Sequence, residues 1–155
     1  MIDPGALEVV AGLLARERRR LRDAVAGALR DSGDVSVEEA IRAALVAVLV
    51  AARDHAPIHH VLFHEVPALV GDARGGAEAR RLAEDEVRVF LEQRQGELDV
   101  LDLGRAAFTV VQAVNALAHE SMVSPRDDLG DVALVDEATA LVVRYLRPRS
   151  SPREL

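Results

Sequence analysis

The sequence predicts an all-α fold, a bundle of six helices joined by short connections. Three observations carry that expectation. Apolar residues recur at spacings of three and four along most of the chain, and no run alternates with a period of two over strand length. Half of the 155 residues are hydrophobic, yet only Phe63, Phe90, Phe108 and Tyr145 are aromatic. The core must therefore be built from Ala, Val and Leu, which suit close helix–helix contact. Finally, Gly, Pro and capping residues fall where the helical pattern breaks. The length favours one domain, with residues 1–147 forming it and 148–155 a flexible tail.

The elements follow in order. Asp3 can cap a first helix with Pro4 at its first position, and Leu7, Val10, Leu14, Leu21, Val25 and Ala28 keep helical spacing to Arg30. Arg16, Arg18, Arg19, Arg20 and Arg22 surround that stripe. With Glu17 and Asp23 among them they read as a solvated face; contact with DNA or an acidic partner is the alternative. Gly33 marks a left-handed stop. Ser36 and Glu39 form a capping box ahead of a strongly apolar helix, Val37 to Asp54. A short helix spans Pro57 to Pro67. Gly71, Gly75 and Gly76 read as a loop. Helix resumes from Ala77 to Gln95, with Leu82, Val89 and Phe90 on its inner side. Leu98 to Leu101 bridges to the next helix, capped by Asp99 or Asp102. Ser124-Pro125 ends that helix, and a last one runs from about Asp131 to Arg147.

Asp102 to Val123 is expected to be the central helix. Leu103, Ala107, Val110, Val114 and Leu117 lie along one side, and Phe108, Gln112, Asn115, His119 and Met122 along the other. Charge enters only at Asp102, Arg105 and Glu120, and a helix apolar nearly all round is a buried one. Its amides, histidine and acids make it a poor membrane span.

Composition excludes several functions. There is no cysteine, so neither a disulfide framework nor a thiolate metal site can form. A net charge of −7 is a poor match to nucleic-acid phosphates. Lysine is absent, and every basic side chain is Arg or His. The N-terminus lacks the pattern of a signal peptide, which makes the cytoplasm the expected location. No serine sits in a GxSxG turn, no phosphate loop appears, and the carboxylates fall on outer faces or caps. No catalytic residue, cofactor or metal is expected.

The histidines are the sharpest chemical feature. His55, His59, His60 and His64 fall within ten residues. His60 and His64, four apart, would share a helix face, the geometry of paired imidazole metal ligands, and His119 could supply a third. Without the intervening glutamate of a metalloprotease motif, the metal reading is the alternative. A second possibility makes these histidines polar points in an otherwise apolar pocket. Gln112 and Asn115 are amides that need partners if buried; a ligand, neighbouring backbone or a second subunit would serve.

Two stretches carry a resemblance. Residues 37–67, VEEAIRAALVAVLVAARDHAPIHHVLFHEVP, place a long apolar helix before a histidine-bearing break and a short helix. Residues 105–123, RAAFTVVQAVNALAHESMV, are followed by a loop and a closing helix ending in RYL. With the helix order from about Ala6 to Leu146, these resemble the C-terminal, effector-binding and dimerisation domain of TetR-type transcriptional repressors. The resemblance implies a homodimer sealed by the last two long helices, with Val114, Leu117, Met122, Val135, Ala138, Leu141, Val142 and Tyr145 at the seam. It implies a pocket for a small, largely apolar effector beside His60, Phe63, His64, Phe90, Phe108, Gln112, Asn115 and His119. Family members begin with a helix-turn-helix head. None precedes Leu7, so the chain as given is expected not to bind DNA by the family's route.

Overall fold

The computed structural model describes residues 3–54, 73–123 and 131–147. The helix expected from Pro57 to Pro67 and the expected tail lie outside these residues. Among the described residues there are five α-helices, one 3-10 turn and no strand. They are α1 (Pro4–Arg30), α2 (Val37–Arg53), α3 (Ala73–Gln93), the turn Gln95–Glu97, α4 (Leu103–Val123) and α5 (Asp131–Leu146). No helix among them is long and apolar enough to cross a membrane.

The caps fix where these helices start. The Asp3 carboxylate accepts from the Ala6 N–H at 3.1 Å. α1 ends in a turn where Gly33 takes a φ of +50°, a conformation that strains any residue with a Cβ. At α2 the capping box is complete: the Glu39 N–H donates to the Ser36 hydroxyl at 3.2 Å, and the Ser36 N–H donates to the Glu39 carboxylate at 3.0 Å. The two bonds from Ser36, the hydroxyl's ahead of the backbone's, hold the Glu39 carboxyl below its ordinary range. Of the two caps expected for α4, Asp102 is the one used, accepting from the Arg105 N–H at 2.9 Å.

Among the described helices, α2 rather than the helix at 103–123 is the most enclosed. It packs against α1, α4 and α5, and nine of its 17 residues are buried. Four of the nine are alanines, Ala40, Ala44, Ala51 and Ala52, which let neighbours approach on several sides. α4 does show water a face: Phe108 is 51% exposed, and Asn115, Ala116 and Glu120 are exposed as well. Its buried residues, Ala106, Ala107, Val111 and Ala118, lie on the opposite side.

Two further expectations are corrected. Gly75 and Gly76 lie inside α3 and not in a loop before it. A Cβ on Gly76 would stand 3.3 Å from an Nη of Arg18, so the end of the Arg18 side chain lies against α3 there. The arginine run of α1 is also more than a solvated face. Arg20 hydrogen-bonds Glu17, which is only 7% exposed, at 2.6 Å, and donates to the Ala51 carbonyl. It thereby ties α1 to the last turn of α2. Its hydrogen bonding to Glu17 raises its already high pKa, so it stays charged.

Candidate functional site

A cavity of about 440 Å³ lies between α1, α2, α3 and α4, with Leu146 of α5 also in its lining, within the range of small-molecule sites. Helix directions give it two distinct ends. Gly76 meets Arg18, and twelve residues further along α1 Arg30 reaches Glu86 at 3.5 Å, so α1 and α3 run the same way. α3 and α4 form an antiparallel hairpin, and the Gln112 amide reaches Glu84 at 3.4 Å. Gln112 follows the start of α4 by as many residues as Glu84 precedes the end of α3. Counting on along the pair brings Asn115 and His119 level with Gly76 to Arg81.

One end of the cavity is therefore lined by Arg18 and Arg22 of α1, Gly76, Ala79 and Arg80 of α3, Ala52 of α2, and Asn115 and His119 of α4. The other end is lined by Leu29, Ile41, Val87, Phe90, Leu91, Val111 and Leu146. Its one charged lining residue, Glu86, pairs with Arg30. Leu91 and Leu146 are each 1% exposed, so this end is sealed. Arg94 closes it from outside. Its guanidinium sits 5.7 Å from the centre of the Phe90 ring, donates to the Val35 carbonyl at 2.6 Å and also donates to the Gly33 carbonyl. Between the ends, Leu21, Val25, Leu45, Val48, Ala83 and Val114 supply apolar walls.

The residues expected at the pocket are placed as follows. Phe90, Gln112, Asn115 and His119 line the cavity. Phe108 does not; it is half exposed on the outer side of α4. His60, Phe63 and His64 lie outside the described residues, as do the other histidines of that cluster. No group of three potential metal ligands occurs among the described residues, so the His60, His64 and His119 alternative rests on positions the structure does not describe.

The residues expected at a dimer seam divide three ways. Val135, Ala138 and Val142 are buried within the chain, on the stripe of α5 that packs toward α2. Val114 lines the cavity, and Leu117 packs against the core. Leu141 and Tyr145 remain 54% and 42% exposed. The side chain of Met122 lies outside the described residues. Helical spacing identifies a stripe that must be covered; it does not say whether the cover comes from the same chain or another.

Sequence reasoning missed the lining from α1, α2 and the start of α3, above all Arg18, Arg22 and Arg80. A signal was present: Arg18 and Arg22 are four apart and flank the Leu21 and Val25 stripe, so they turn toward whatever that stripe faces.

Fold and site together define an all-helical domain built round a largely apolar cavity with one polar end. The family model described as the tetracyclin repressor-like C-terminal domain matches residues 36–146, and the chain belongs to that family. No curated protein and no solved structure matches the chain.

Proposed function

We propose that the chain is the ligand-sensing and dimerisation domain of a TetR-like transcriptional regulator, a cytoplasmic, non-enzymatic homodimer that binds a small, largely apolar effector. The observation that carries this reading is the cavity, lined mainly by the helices that precede α5, in a chain of this family. Five of the described helices contribute to its wall, α5 through Leu146, and a ligand that fits one arrangement of them better than another shifts the population toward it. In regulators of this type such a shift alters the spacing of the DNA-binding heads.

The dimer reading draws on the apolar surface left on the last two helices. Phe108 of α4 and Leu141 and Tyr145 of α5 are half exposed, and Leu141 and Tyr145, four apart, share a face.

The test is ligand-dependent stabilisation. A compound that occupies the cavity raises the melting temperature by mass action, and filling the space with Ala83→Phe should abolish that rise. A shift that persists undiminished in the filled variant would place the binding elsewhere and overturn the reading.

A further inference from the structure

The cavity is long rather than round. Its lining residues run from Arg18 to Leu29 on α1, from Ile41 to Ala52 on α2 and from Val110 to His119 on α4, which is roughly 14–17 Å of each helix. On α3 they run further, from Gly76 to Leu91. A volume of about 440 Å³ spread over such a length leaves a mean cross-section of roughly 30 Å². With non-bonded carbons about 4 Å apart, that admits one extended alkyl chain and not two side by side. The inner end is closed. Phe90, Leu91 and Leu146 are 5%, 1% and 1% exposed, and the Arg94 guanidinium lies against the Phe90 ring. Ala52 and Gly76, the described lining residues nearest in sequence to 55–72, belong to the opposite end, so this stop is built from residues the structure describes. The walls leading to it, Leu45, Val48, Ala83 and Val87, are aliphatic.

From this shape we infer that the effector carries one unbranched aliphatic chain, and that Phe90, Leu91 and Leu146 form the stop that limits its length. Each methylene entering the channel leaves water, worth about fourfold in affinity, until the chain meets the stop. With C–C bonds near 1.52 Å and near-tetrahedral angles, a zigzag chain advances roughly 1.25 Å per carbon. About eleven to thirteen carbons therefore fill the channel. Further methylenes must stay in water or buckle against close-packed side chains, and affinity stops rising. The same carbons closed into a ring are too wide to enter without displacing the walls. This inference rests on the reading of the cavity as an effector site and deepens it by naming the form of the occupant.

Isothermal titration of the full chain with the straight 1-alkanols from hexanol to hexadecanol reads the length directly, with cyclodecanol as the compact control. Affinity is expected to climb about fourfold per methylene from hexanol to decanol and to level off or fall by tetradecanol. Decanol is expected to bind about tenfold or more tightly than cyclodecanol, the size of effect that overpacking a wall produces. Val87→Phe thickens the wall beside the stop. It should move the break to a shorter alcohol and keep hexanol affinity within about twofold. Ala44→Leu, which fills the lining one turn from Ile41, serves the same purpose if circular dichroism shows that Val87→Phe does not fold. Three outcomes overturn the inference and leave the cavity an effector site: affinity climbing by the same factor through hexadecanol, a break unmoved in the variant, or cyclodecanol binding as tightly as decanol. Cyclodecanol binding where no straight alcohol does so has the same meaning. Failure of every alcohol, straight or cyclic, overturns the effector reading and the inference together.

Discussion

At the residue scale, Arg20 shows how a charge run can hide a structural part. Arg16, Arg19 and Arg20 look alike in sequence, yet only Arg20 meets both a buried carboxylate at 2.6 Å and the α2 backbone. Which of several neighbouring arginines turns inward depends on where α2 lies, and no local pattern contains that. Arg20→Ala removes the guanidinium from Glu17 and from the Ala51 carbonyl, and should cost about 1–3 kcal/mol in urea unfolding, the size of hydrogen bonds made by a charged group. Gly33 was legible from the sequence because few residues tolerate its backbone; Gly33→Ala should cost about 1–2 kcal/mol, read by the same unfolding curves.

At the scale of elements, the caps were readable because a cap is local chemistry. Asp3, Ser36 with Glu39, and Asp102 all act within three residues of their targets. Ser36→Ala should destabilise by about 1 kcal/mol. The lowered pKa of Glu39 also gives a pH signature. A carboxyl whose folded pKa lies below its unfolded value adds stability above the ordinary glutamate range, near 4.3, and that stability is lost as pH falls through the lowered value. Glu39→Gln should therefore lower stability near neutrality, where that contribution is fully present, leave it little changed below the lowered value, and so flatten the stability–pH curve in the acid range. The role of the α4 helix was less legible. Its apolar content suggested burial on all sides, but Phe108 and Glu120 are exposed and lie off the cavity, and the alanines of α2 make that helix the more enclosed one. Alanine counts weakly as a hydrophobe and strongly as a permit for close approach. Arg94, too, escaped notice, since its partners Gly33 and Val35 are some sixty residues away. Arg94→Ala should lower stability by about 1–2 kcal/mol and loosen the Phe90 end of the cavity, measurable as faster amide exchange in the turn between α1 and α2.

At the scale of the molecule, the all-α class and five of the helices followed from spacing and breakers, but cavity and surface did not. A cavity is what several packed helices fail to fill, so it emerges only when their directions are known. For the same reason Val135, Ala138 and Val142 could be recognised as a stripe to be covered but not assigned to a cover. If a second chain covers Phe108, Leu141 and Tyr145, sedimentation at micromolar concentration should show dimers, and Leu141→Asp should shift them to monomers while leaving the melting profile cooperative. Single copies only in the unmodified protein would remove the dimer reading. The length of α1 has a further consequence. Its 27 residues span about 40 Å, and its first buried side chain is Leu14, with Val9 63% exposed before it. The cavity lies against the far half, from Arg18 to Leu29. A tilt of about 10° pivoting at Leu14 would swing the N-terminal end of α1 by roughly 2–3 Å, given about 15 Å of helix beyond the pivot. The rod converts a small angular adjustment around an occupant into a displacement large enough to make or break a contact at its tip.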